Sequence, residues 1–168
     1  MATFKFIAKT VLGSSAGTIV VSSIPNTYTD LCVLASCRGT STNENTMTLT
    51  LNSTSASYVV QYGAGTSGGS LTNANTFLSL GLSHPAQPND TFGTTKLYIH
   101  NYSSTTNNKS MNVLSCNENN TSPAGNSFIN HGTSLVTTTA AITSITLTPG
   151  SGNFVSGTSI YVYGISNT

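Results

Sequence analysis

The stretch Thr46-Met47-Thr48-Leu49-Thr50-Leu51-Asn52 alternates hydroxyl and apolar side chains residue by residue. Successive side chains of a β-strand point to opposite faces of its sheet, so this period of two predicts a strand with one buried and one solvated face. Apolar residues recur at the spacing of a helix over no convincing length of the chain, and Ala, Leu, Glu and Lys do not cluster. We therefore predict an all-β chain with little or no helix.

Similar or fully apolar short runs continue in both directions from this strand. They cover residues 3–11, 18–22, 30–38, 57–62, 76–82, 96–101, 110–116, 141–148 and 158–165. Segments rich in Gly, Pro, Asn and Ser separate them, for example residues 63–70 and 117–125, and these residue types favour turns. About ten strands at this spacing are typical of a sandwich or barrel. We predict one antiparallel β-sandwich domain of jelly-roll type over residues 1–168.

Two facing sheets would enclose the apolar side of the 46–52 strand. We expect the buried set to contain Met47, Leu49, Leu51, Leu97, Ile99, Ile145, Leu147, Ile160 and Val162. The last run, residues 160–165, is apolar on both of its sides. Strands of that kind are covered on both faces, so we expect one side to meet the core and the other side to meet a neighbouring chain.

The composition predicts a surface of neutral polar groups. Ser (25), Thr (29) and Asn (18) fill 72 of the 168 positions, and only 5% of the residues are charged. The formal net charge is +1, and the five Lys and Arg residues are spread along the chain, whereas a duplex-binding protein clusters several cations against phosphates. A nearly neutral surface repels copies of itself weakly. We expect no nucleic-acid partner, and the surface suits a repeating assembly.

The first residues lack the long apolar segment of a secretion signal, and no stretch approaches the ~18 apolar residues that span a bilayer. We expect synthesis and retention in the cytoplasm, and no membrane partner. The three cysteines, Cys32, Cys37 and Cys116, are too few for a disulfide framework. We expect buried, unreactive thiols, with Cys32 and Cys37 on opposite faces of one strand.

Sequence patterns that resemble catalytic or metal sites lack the context that those sites need. Residues 65–69, Gly-Thr-Ser-Gly-Gly, match the G-x-S-x-G motif, but no helix is predicted to follow them. His84, His100 and His131 have none of the spacings of a recognisable metal site. The four carboxylates stand alone in sequence, whereas acid/base hydrolysis uses a positioned pair. We predict no catalytic residue, no metal and no cofactor, and hence no enzyme.

Three segments resemble a recurring pattern in small structural proteins of tailed bacteriophages, notably aquatic ones. They are residues 23–31 (SIPNTYTDL), 140–147 (AAITSITL) and 152–165 (GNFVSGTSIYVYGI), supported by Arg38 and by Leu49-Thr50-Leu51-Asn52. The pattern often continues with Gly-Asp, where this sequence has Ser53-Thr54. The resemblance implies a virion component with a β-sandwich fold, and it brings no catalytic residues.

Two functions fit these observations. The first is a capsid decoration, or cement, protein: a compact trimeric sandwich on the exterior of the virion that binds the major capsid protein or other virion proteins and stabilises the shell. The chain has no coiled-coil heptads or collagen-like segment with which to form a fibre. The second is a receptor- or glycan-binding module of a tail appendage, in which Tyr98, Tyr102 and the polar residues 103–108 contact a host sugar. Copy number per particle separates the two.

Phe4, Phe6 and Ile7 form an apolar cluster in a terminal segment, and such a segment frays unless something holds it. Residues 1–12 are therefore expected either to form the first strand of the sandwich or to serve as an arm that pairs within the trimer or with the shell. Together with Tyr161 and Tyr163, these three residues are the ones that we expect to contact partner proteins.

Overall fold

The computed structural model describes residues 3–42, 46–55, 58–65, 68–74, 79–117 and 129–166. These residues form strands and no helix. The strands are β1 Thr3–Val11, β2 Ile19–Val21, β3 Asp30–Cys37, β4 Thr46–Leu51, β5 Thr54–Ser55, β6 Tyr58–Gly65, β7 Gly68–Ala74, β8 Ser79–Gly81, β9 Gly93–Ile99, β10 Lys109–Cys116, β11 Ile129–Val136, β12 Ile145–Pro149 and β13 Ser159–Ser166. In this part of the chain, no helix has the length and hydropathy that crossing a membrane requires.

The strands form two antiparallel sheets. The larger sheet has eight strands in the order β1-β13-β3-β9-β10-β11-β6-β7, and the smaller has five, in the order β2-β12-β4-β5 with β8 also paired to β4. The chain crosses repeatedly from one sheet to the other, as in a jelly roll. The predicted antiparallel β-sandwich is confirmed.

The core lies between the two sheets and contains every residue of the predicted buried set, each at most 2% exposed. Met47, Leu49 and Leu51 of β4 alternate with half-buried threonines. Leu97, Ile99, Ile160 and Val162 come from the larger sheet, whereas Ile145 and Leu147 lie beside β4 in the smaller sheet. The alternation of β4 therefore predicts correctly which side chains fill the core.

The larger sheet has one face toward the core and one toward solvent. In β10, Lys109, Met111, Val113 and Ser115 are buried, and the residues between them are exposed. The neighbouring strands β9 and β11 alternate in the same way. We call the solvent side of this sheet the outer face.

β1 lies at the edge of the larger sheet and pairs along its length with β13, with a bulge between Phe6 and Ala8. Residues 3–11 are therefore the first strand of the sandwich, one of the two alternatives that the sequence leaves open, and not a free arm. β13 lies between β1 and β3, and it turns Ile160 and Val162 into the core. Contact of either strand with a partner protein stays a prediction.

Residues 63–70 are not the long turn that the sequence predicts. β6 continues to Gly65, β7 begins at Gly68, and these two glycines are paired across a hairpin. Glycine is depleted in strands because it packs no side chain and loses the most backbone entropy on folding. The composition of this segment therefore favours a turn, although residues 63–65 and 68–70 lie in strands.

β11 is a second strand that the sequence analysis does not predict. Its core-facing positions include Asn130, Gly132 and Ser134, while Ile129 is 55% exposed. In this strand, polar residues are therefore buried and an apolar residue is exposed, which is the reverse of the usual pattern. Of the predicted turn at 117–125, Asn117 is buried and residues 118–125 lie outside the described residues.

Candidate functional site

The outer face is organised by the register of six neighbouring strands. Residues directly opposite each other on adjacent antiparallel strands share a face of the sheet. One cross-strand row is Phe6, Tyr163, Cys32, Tyr98, Asn112 and Thr133, and the next is Lys9, Tyr161, Leu34, Lys96, Leu114 and His131. Residues from distant parts of the chain thereby lie on one surface.

The part of the outer face on β1, β13 and β3 is largely apolar, with Lys9 as its exposed charged residue. We call it the aromatic half and define it by Phe4, Phe6, Leu34, Tyr161 and Tyr163. Phe4 is 57% exposed, Phe6 52% and Leu34 39%, and the ring of Phe6 meets that of Tyr163 edge-on, with 5.9 Å between the centroids. Contiguous exposed apolar side chains of this kind are typical of a protein interaction surface.

The part of the outer face on β9, β10 and β11 contains a trough. One depression of about 510 Å³ is lined by Lys96, Tyr98, Asn112, Val113, Leu114 and His131. A second, of about 350 Å³, is lined by His100, Ser110, Met111, Asn112, Thr133, Ser134 and Leu135. Asn112 lines both depressions, so they adjoin, and we call the two together the trough. Its lining combines apolar surface with amide, imidazole, hydroxyl and ammonium groups.

Tyr98 is held in the trough by the buried Asp30. Its hydroxyl donates to Asp30 Oδ2 at 2.8 Å, and the Asn101 backbone N–H donates to Oδ1 at 2.7 Å. Burial raises the pKa of Tyr98 to about 12, and the hydrogen bond and negative charge of Asp30 act in the same direction. The ring of His100 lies 4.7 Å from that of Tyr98, centroid to centroid. The Asp30 contact therefore fixes the orientation of the Tyr98 ring.

Tyr102 has the opposite environment. It is fully buried in the core, and its hydroxyl donates to the Pro25 carbonyl and accepts from the Tyr28 backbone N–H at 3.3 Å. The expectation that Tyr102 joins Tyr98 in contacting a sugar is therefore wrong, because its ring is out of reach of a ligand.

Hydrogen bonds connect the polar loop at residues 103–108 to the rest of the protein. The Ser103 hydroxyl donates to the Tyr28 carbonyl at 2.9 Å. The buried Lys109 ammonium donates to the carbonyls of Ser104, Asn107 and Thr139 at 2.8, 2.5 and 3.3 Å, and its burial lowers the pKa of Lys109. The lysine thus satisfies loop carbonyls, while the side chains of residues 105–108 remain exposed.

The three thiols differ in their surroundings. Cys37 is buried in the core and Cys32 is buried on the outer face, where Tyr163 and Tyr98 flank it. Burial raises the pKa of Cys37 to about 12 and also raises that of Cys32. The predicted opposite orientation of this pair is confirmed. Cys116 is exposed, so the expectation of burial is wrong for that thiol.

The histidines and the G-x-S-x-G match do not come together as a catalytic or metal site among the described residues. His84 is buried in a turn, where its Nδ1 accepts from the Ala86 backbone N–H at 3.3 Å, while His131 is exposed on β11. Among the described residues, no three His, Cys, Asp or Glu side chains are grouped to hold a metal. Gly65 and Gly68 of the G-x-S-x-G match belong to two strands of a hairpin, and residues 66 and 67 lie outside the described residues.

Of the predicted partner residues, the structure brings Phe4, Phe6, Tyr161 and Tyr163 together on the aromatic half. Ile7 lies at the bulge of β1, half-buried against the core. The trough contains Tyr98, which the sequence singles out, and it adds Lys96, Asn112 and His131, which the sequence analysis does not propose as binding residues. Alternation within β9 and β10 indicates that Lys96 and Asn112 are exposed. That these residues lie close to one another and to His131 depends on the register between the strands.

Comparisons with known proteins give little similarity. No family model matches the chain, and no curated protein matches it. Among solved structures, a galectin of Caenorhabditis elegans, LEC-6, matches with 10% sequence identity and a TM-score of 0.34, over 95% of this chain and 96% of that one. A score at this level supports no conclusion about function.

Proposed function

We propose that the chain is a non-enzymatic virion structural protein of a tailed bacteriophage, a capsid decoration protein that binds the outside of the major capsid shell and stabilises it. The observation that carries the proposal is the aromatic half, where Phe4, Phe6 and Leu34 are exposed beside two half-buried tyrosines. Burying such side chains against another protein gives roughly 25 cal/mol per Å² of apolar area. The assignment to a phage particle rests on the sequence resemblance.

The size of the aromatic half indicates that it does not act alone. Strands are about 4.8 Å apart and rise about 3.4 Å per residue, so three strands of eight residues offer a footprint of roughly 400 Å². A specific interface buries about 800 Å² per partner. We propose that the contact extends over the edge of β1, whose far side pairs with no described strand, either onto the shell or onto other copies in a homotrimer.

The proposed attachment is tested on purified particles of the phage that encodes the chain. Gel densitometry or quantitative mass spectrometry is expected to give a copy number comparable to that of the major capsid protein. The tail-appendage alternative predicts a few copies per particle. A low copy number, or absence of the chain from the particle, would contradict the decoration role.

A double variant tests the surface itself. Phe4→Ser with Phe6→Ser is expected to weaken binding to particles that lack the protein by tenfold or more, because central aromatic contacts dominate interfaces. Val20→Ser is the matched control, since Val20 is 46% exposed on β2 of the other sheet, and it should bind normally. Equal binding by the double variant would place the contact elsewhere.

A further inference from the structure

We infer that the trough on β9, β10 and β11 is a binding site for an acidic carbohydrate. The inference goes beyond attachment to a capsid and holds wherever on the particle the chain lies. It rests on the shape of the trough, on the groups that line it and on the sign of their charge.

The dimensions of the trough match a short oligosaccharide. Its two depressions, about 510 and 350 Å³, adjoin at Asn112. The outer-face residues of β10 run from Ser110 through Asn112 to Leu114, a span of roughly 14 Å at about 3.4 Å per residue, and the three strands together are roughly 10 Å wide. The trough therefore accommodates a chain of about two or three sugar rings lying along β10.

The lining has the mixed character that sugars require, since a sugar ring has apolar C–H faces and hydroxyl edges. Tyr98 supplies an aromatic ring of fixed orientation. Leu114, opposite Lys96 in the next cross-strand row, is 54% exposed and supplies an apolar surface. The Asn112 amide and the hydroxyls of Ser110 and Thr133 supply donors and acceptors at the edges. The imidazole Nε2 of His100 lies 3.3 Å from the amide Nδ2 of Asn112. This hydrogen bond orients both the imidazole and the amide.

The charge of the trough selects an acidic sugar. The cation in its described lining is the exposed ammonium of Lys96, and no carboxylate lines it. The imidazoles of His100 and His131 add ring nitrogens that form hydrogen bonds. The carboxylate on the same face, Asp30, is buried and accepts two hydrogen bonds. A single lysine does not match the several phosphates of a nucleic acid, and the site lies on a sheet face, away from the strand edges to which extended peptides add.

The test is a panel of immobilised oligosaccharides of matched length, containing uronic acid, sialic acid, sulfated and uncharged sugars, probed with the purified full chain. We expect retention of acidic members and an affinity that falls with added salt. For the best-bound sugar, Lys96→Gln should lower the affinity roughly tenfold, the scale of one charge-assisted hydrogen bond. Asn112→Ala should also lower it, since the amide lines both depressions.

Lys9→Gln is the matched control. Lys9 is exposed on β1 in the same cross-strand row as Lys96, so its substitution makes an equal change in net charge outside the trough. It should leave the affinity unchanged, and thermal unfolding should show that all three variants fold. The inference is overturned if no acidic sugar binds above the level of Lys96→Gln, if uncharged sugars bind equally well, or if Lys9→Gln weakens binding as much.

Discussion

Tyr98 and Tyr102 are four positions apart in sequence, and the sequence alone treats them alike. Tyr98 belongs to β9, so the alternation of the strand places it on the outer face, whereas Tyr102 follows the end of the strand and turns into the core. Its hydroxyl is satisfied there by backbone groups of residues 25 and 28, which removes most of the cost of burying it. The residue type therefore indicates which tyrosines have chemistry suited to a ligand. Whether a ligand can reach the ring depends on whether the residue lies within the strand or beyond its end.

The burial of Tyr98, together with its hydrogen bond to Asp30, makes the stability of the protein sensitive to alkaline pH. The pKa of Tyr98 is raised from its ordinary value of 10 to about 12 in the folded protein. The stabilisation is thus fully present below pH 10 and is lost as the pH rises through about 12, because the unfolded chain releases the proton first. The difference in tyrosinate absorbance between the wild type and Tyr98→Phe should appear near pH 12, and the wild type should lose its stability advantage over that variant across the same interval. A difference in tyrosinate absorbance that appears at pH 10 would show that the pKa of Tyr98 is not raised.

Arg38 connects the end of β3 to the segment between β8 and β9. Its guanidinium is nearly buried and donates to the carbonyls of Gln87, Pro88 and Thr91, at 3.3, 2.9 and 2.8 Å, and to the Thr91 hydroxyl at 3.2 Å. The guanidinium presents five N–H donors in a planar fork, and a lysine ammonium, whose three donors lie on one atom, does not reproduce that geometry. This segment therefore depends on one side chain for its conformation.

Replacing that fork should destabilise the protein although the charge is kept. Arg38→Lys is expected to lower the free energy of unfolding by about 2–4 kcal/mol, because hydrogen bonds to a charged group are lost and buried carbonyls are left without donors. Urea unfolding measures the change. Lys9→Arg, an exposed substitution that also keeps the charge, should stay within about 0.5 kcal/mol of the wild type. Equal stability of the two variants would show that the guanidinium contacts contribute nothing.

Strands with clean alternation can be predicted from the sequence, and two others cannot. β4 matches its predicted run closely because its apolar residues repeat with a period of two, and β1 coincides with the apolar run at residues 3–11. β11 buries Asn130 and Ser134 and exposes Ile129. β7, and the end of β6 beyond the predicted run at residues 57–62, pair through glycines, so in both cases local composition opposes the extended backbone. Cross-strand pairing overrides that preference. The same limit applies to the trough, since no local pattern tells that Lys96, Leu114 and His131 share a row.

The two ends of the described chain are joined in the larger sheet. β1 pairs with β13, and β13 pairs in turn with β3, so the last strand lies between the first strand and the core of the sheet. Contacts between residues so far apart in sequence carry a high cost in chain entropy before they form. The sandwich is therefore expected to close late in folding, when the C-terminal strand is added between two strands that precede it.

Removal of residues 159–168 should consequently abolish folding and not merely shorten the sheet. Ile160 and Val162 are fully buried, each worth roughly 1.5–3 kcal/mol, and the loss of β13 also unpairs β1 and one side of β3. These losses together reach the roughly 5–15 kcal/mol by which a domain is stable. Urea unfolding followed by far-ultraviolet circular dichroism should show no cooperative transition for the truncated chain, whereas a chain that lacks only residues 167 and 168 should unfold like the wild type. A cooperative transition in the shorter chain would mean that β1 pairs directly with β3 and that the central place of β13 can be taken by another strand.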